Sequence, residues 1–92
     1  MNMQMIDTLE TGKRIYELRM EAKMSVKDIQ DALKFESPQA IYKWQKGGSL
    51  PSIDNLINLA KLFELRLNRT IKLEDIIVTK ECEIVMEHSS RE

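Results

Sequence analysis

A single cysteine, Cys82, leaves the chain unable to form an internal disulfide, which agrees with a reducing compartment. A single histidine, His88, with no second histidine or paired cysteine at ligand spacing, excludes a zinc site of the usual pattern and reads as a solvated residue near the end of the chain. Cys82 has no histidine beside it to serve as a base, so it does not read as a nucleophile. With three glycines there is no glycine-rich phosphate loop, and neither an HExxH motif nor a nucleophile elbow occurs. The sequence thus offers no enzyme with a named catalytic group, no cofactor and no evident small-molecule ligand. No apolar run approaches the roughly eighteen residues that a membrane span needs, and the opening segment MNMQMIDTLETGKR has no basic region followed by an apolar one. A cytoplasmic chain with no membrane partner is expected.

A surplus of charge is also missing, since the net charge is −1. The total conceals an asymmetry: Met1 to Leu73 holds twelve Lys and Arg against nine Asp and Glu, whereas Glu74 to Glu92 holds two against six. A mildly basic body precedes an acidic end. Ninety-two residues make one domain, in which about 60 to 65% of the unfolded chain's surface can be buried. A core of that size suits a binding module better than an enzyme with an enclosed pocket.

What is present is a succession of short helical stripes. Residues 1–8 are expected to be flexible, residues 9–78 to fold, and residues 79–92 to form an acidic, disordered tail, with a short strand or a dimer-annealing arm around Ile76–Thr79 and Ile84–Val85 as the other reading. The first helix should run from Asp7 or Thr8 to Lys23 with Ile15, Leu18 and Ala22 inward; Gly12 weakens its first half, so its firm part is placed after that residue. Ser25 caps a second helix from Val26 to Leu33 or Lys34, with Val26, Ile29, Ala32 and Leu33 as its stripe. Phe35 is expected to drop into the core. Ser37 then reads as the cap of a third helix with Pro38 at its first position.

That third helix carries the most information. Ala40, Ile41 and Trp44 recur at helical spacing as an inward stripe, and Gln39, Tyr42, Lys43 and Lys46 fall on other faces. No acid lies between Ser37 and Ser49, so a polyanion meets no local repulsion there. Gly47 suits a left-handed cap, and Pro51 prevents an early restart. Ser52 caps a fourth helix whose apolar face comprises Ile53, Leu56, Ile57, Leu59, Ala60 and Phe63, with a stop at Asn68–Thr70. A short fifth helix is placed over Leu73 to Ile77, with Glu74 and Asp75 near its positive end.

Taken together, GKRI with Leu18–Arg19, Met24–Ser25–Val26 with Ile29 and Leu33, SPQAIYKWQKG and SLPSIDNLINLAKLF resemble the phage-repressor and Cro-like family, the XRE-type helix-turn-helix regulators, over roughly Thr11 to Ile77. The resemblance implies an all-α, five-helix, lambda-repressor-like DNA-binding domain with a flexible C-terminal tail. It implies a sequence-specific regulator of transcription, a repressor, that binds double-stranded DNA as a homodimer with its third helix in the major groove. Carried over by position, Gln39 and Lys43 match base-reading sites, and Tyr42 would meet a thymine methyl or the sugar-phosphate backbone. Ser25, Lys27 and Gln30 at the second helix, and Lys46, Gly48 and Ser49 after the third, would hold phosphates. The turn is one residue longer than the short family form, and Gln30 stands where a small residue is common. The rival reading is a helix-turn-helix domain reused as a protein-interaction module or an antitoxin, which the low net charge favours and the acid-free third helix does not.

Overall fold

A computed structural model describes residues 2–83. In chain order they form strand β1 (Asn2–Ile6), helices α1 (Thr8–Glu21), α2 (Val26–Leu33), α3 (Gln39–Lys46) and α4 (Ile53–Leu67), one 3₁₀ turn (Leu73–Asp75) and strand β2 (Thr79–Glu83). The expectation of an all-α, five-helix domain is corrected in two places. The fifth helix is only the 3₁₀ turn, and the segments expected to be loose pair as an antiparallel ribbon, Asn2 opposite Glu83 through Ile6 opposite Thr79. Asn2 to Met5 alternate polar and apolar, but the stretch is short and every residue of β1 is exposed, so no buried face confirms the pattern. Residues 84–92, with His88 and Ile84–Val85, lie outside the described residues, as does Met1.

Each helix starts and stops for a local reason. Asp7 caps α1 by accepting from the Glu10 N–H at 3.0 Å, and α1 is continuous through Gly12. At α2, Ser25 Oγ accepts from the Asp28 N–H at 2.9 Å while the Asp28 carboxylate accepts from the Ser25 N–H at 2.8 Å, a reciprocal capping box. Lys34 and Asn68 end α2 and α4 in the left-handed conformation. Ser52 Oγ caps α4 through the Asn55 N–H at 3.1 Å. Ser37 does not cap α3: the helix begins after Pro38, whose carbonyl accepts from the Tyr42 N–H at 3.2 Å. Pro38 itself takes the cap position, with φ −85° and ψ 3°, and no side chain caps the helix.

The core is one cluster drawn from all four helices and from the residues flanking the 3₁₀ turn, with Ile15, Leu18, Ile29, Ile41, Leu59, Phe63 and Ile76 fully buried. Phe35, half-buried, meets Trp44 edge to face with centroids 5.8 Å apart. Two parts of the α4 stripe are corrected, since Ile53 and Ile57 are exposed and Leu56, Leu59, Ala60 and Phe63 alone are buried. Ala32 is likewise exposed. These three fit a 3.6-residue period, but the domain is too thin to cover so wide an arc of either helix.

The buried Thr11 hydroxyl ties the root of the ribbon to α1, donating to the Val78 carbonyl at 3.3 Å and accepting from the Val78 N–H at 2.9 Å. The Asp7 N–H donates to the same carbonyl at 2.7 Å. The connection after α4 is held by Arg69, which forks onto Glu21 at 2.7 and 3.3 Å, and by Glu64, which accepts from the Ile71 N–H at 3.2 Å.

Gly12 sits where α1 meets α3, and a Cβ built there would fall 2.2 Å from the Trp44 carbonyl oxygen and 2.9 Å from that of Gln45. Helix propensity alone predicts that Gly12→Ala stabilises α1 by roughly 1 kcal/mol. The contact predicts the opposite sign, a loss of about 1 to 3 kcal/mol from overpacking against backbone, read as a lowered denaturation midpoint.

Candidate nucleic-acid interface

Three anchors fix the orientation of α3. Ile41 and Trp44 turn into the core at 0% and 4% exposure, and Gly12 lets the last carbonyls of α3 lie directly on α1. Arg19 then bridges the helices, its Nε donating to Gln45 Oε1 at 2.8 Å and a terminal nitrogen to the Met24 carbonyl at 2.9 Å. Arg14 is similarly occupied, donating to the Asp75 carbonyl at 2.8 Å.

With the inner face so fixed, Gln39, Tyr42, Lys43 and Lys46 form the opposite stripe at i, i+3, i+4 and i+7, all exposed. With Pro38 they line an open surface groove of about 340 Å³. The three residues expected to read bases therefore share one face, and Lys46 joins them. Pro38, which sequence reasoning treated as a helix position, forms the head of the groove instead. The stripe ends where Gly47 adopts φ 79°, its N–H donating to the Trp44 carbonyl at 3.0 Å.

The expected phosphate contacts divide. Lys46 and Ser49 are exposed beside the end of α3. The Gly48 N–H is taken by the Lys43 carbonyl at 2.9 Å, leaving Gly48 no main-chain donor for an anion. Gln30 is half-buried and donates to the Phe35 carbonyl at 3.3 Å, which braces the longer turn and explains why a small residue is not needed there. Lys27 is exposed but pairs with Asp31 at 3.0 Å. Ser25 is engaged in the capping box, and the Asp28 carboxylate places a negative charge on the first turn of α2. The spacing Ser25-x-x-Asp28 was the available signal for that box. The positive surface is accordingly α3 and its C-terminal edge more than the head of α2.

A fold of this kind, two short helices joined by a short turn with one face of the second outward, defines a helix-turn-helix domain. A family model described as helix-turn-helix matches residues 15–69, more than half of the chain, and the chain belongs to the XRE-type helix-turn-helix family, a DNA-binding one. No curated protein and no solved structure matches it. Among the described residues no helix is long and apolar enough to cross a membrane, and no group of acids, cysteine and histidine gathers as metal ligands.

Two carboxylates tie this framework to pH. The hydrogen bond from the Ser25 backbone, then that with its side chain, holds Asp28 below its ordinary range, and the hydrogen bond from Arg69 does the same for Glu21. Both groups bind fewer protons folded than unfolded, so their contribution is present above the ordinary carboxylate values near about 4 and disappears as pH falls through the depressed ones. Thermal denaturation followed downward from about pH 5 should show falling stability, and Asp28→Asn, which keeps an acceptor but cannot titrate, should flatten part of that slope.

Proposed function

We propose that this protein is a cytoplasmic, sequence-specific repressor that binds double-stranded DNA as a homodimer and lays α3 in the major groove. The observation that carries the reading is the stripe Gln39, Tyr42, Lys43 and Lys46, exposed on an acid-free helix whose other face is locked by Ile41, Trp44 and the Arg19–Gln45 hydrogen bond. Glutamine pairs in bidentate fashion with adenine, and lysine donates to O6 and N7 of guanine. The Tyr42 ring is wide enough to cover a thymine methyl, and Lys46 and Ser49 stand where the flanking phosphates would pass. Lys27 and the Ser25 hydroxyl proton supply weaker phosphate contacts, opposed by Asp28. Gln30 and Gly48 act within the fold, so few direct contacts remain, and DNA shape contributes the rest of the specificity.

Reuse of the same face as a protein-interaction module or an antitoxin is separated by salt. A phosphate-binding surface loses affinity for random duplex linearly in log salt, whereas a protein-binding face shows no such binding. On a duplex selected from a randomised pool, Gln39→Ala or Lys43→Ala should lose about 1 to 3 kcal/mol and relax preference at one base pair. Lys46→Ala should weaken all sequences alike and reduce the salt slope by about 1. Uniform losses from Gln39→Ala across sequences would refute direct readout.

A further inference from the structure

The β1–β2 ribbon is unusual in having almost nothing beneath it. All five residues of β1 and four of the five in β2 are exposed, Met3 and Met5 at 49% and 45%. A two-stranded ribbon in water is marginal without a covering layer or further strands. Among the described residues β1 pairs only with β2, so each strand also presents an unpaired row of backbone donors and acceptors.

We propose that the outer edge of β1 is the dimer interface, pairing antiparallel with β1 of a second copy across a twofold axis at Gln4 to make a continuous four-stranded sheet. This rests on the reading of the protein as a homodimer and names the surface that makes it one.

Charge selects the edge. β1, NMQMI, carries no charged side chain, and pairing about Gln4 sets Asn2 opposite Ile6, Met3 opposite Met5 and Gln4 opposite its own copy. All five residues are then used. β2, TKECE, is self-repelling in each comparable register: about Glu81 it faces itself, about Cys82 the two glutamates face each other, and about Lys80 two lysines meet. Like charges directly opposite destabilise a strand pair. Sheet geometry supplies the apolar part. Met3 lies opposite Cys82, and Met5 opposite Lys80. Opposite residues share a face, so the twofold brings Met3 and Met5 of both copies into one strip of four thioether side chains, flexible enough to fill it. Such an interface is isologous and closes at two copies.

The register provides its own test. Gln4 lies opposite Glu81 within the ribbon. Gln4→Lys therefore creates a favourable cross-strand pair inside each copy while setting two lysines face to face across the twofold. Sedimentation of the full chain without DNA should show a monomer–dimer equilibrium weakened by about fivefold or more in Gln4→Lys, with unchanged helical circular dichroism. Mixing Gln4→Lys with a chain carrying both Gln4→Glu and Glu81→Gln, which keeps two glutamates from facing each other inside one copy, should restore association, because unlike charges then meet across the twofold. A wild-type chain that stays monomeric at high concentration, or a Gln4→Lys chain that associates like wild type, overturns the proposal. So does loss of the dimer in Ile57→Lys with Gln4→Lys unaffected, which would move the interface to the exposed face of α4. Because DNA is absent, failure here leaves the DNA-binding reading standing, and a β1-linked dimer with no salt-dependent duplex binding overturns only that reading.

Discussion

The seating of α3 on α1 at Gly12 sets the geometry on which the rest depends. The Trp44 and Gln45 carbonyls come so close to the Gly12 backbone that no side chain fits between them. Close approach alone would leave α3 free to rotate about its axis. Ile41 and Trp44 in the core and the hydrogen bond from Arg19 to Gln45 remove that freedom. The outward side chains of α3 therefore point in a defined direction, and that direction is set from behind, by residues on its inner face.

The same economy shows in the turn between α2 and α3. An extra residue in this connection would ordinarily loosen the angle between the helices. Instead Lys34 turns left-handed, Gln30 holds the Phe35 carbonyl and the Phe35 ring abuts Trp44. The polar side chain that departs from the usual small residue is thus used inside the fold. At the head of α2, the Asp28 carboxylate stabilises the helix through the Ser25 N–H but sets a negative charge where an anion would otherwise be welcome. The carboxylate that completes the cap thus also leaves this end of α2 less favourable to a second negative charge.

Much of this was legible beforehand. The capping residues Ser25 and Ser52, the breaker Gly47 and the stripes of α1 and α3 could be read directly, because each depends on neighbours within one or two helical turns. The buried stripe of α4 is narrower than its period allows: Ile53 and Ile57 fit that period as well as Leu56 and Leu59, but a domain this thin has no second layer to cover them. The local pattern at Ser37 also suits a cap, but the helix starts one residue later, with Pro38 at the cap position.

Sequence by itself determined where the helices lie, which side of α3 faces inward and that its outward side chains carry no negative charge, since helical periodicity and residue chemistry are local properties. Only the tertiary structure decided that Gly12 serves the contact with Trp44 and Gln45, that Arg19 is spent on Gln45, and that Asn2–Ile6 pairs with Thr79–Glu83. Those facts depend on residues far apart along the chain coming within a few ångströms of each other. No short window of sequence contains both partners of such a contact.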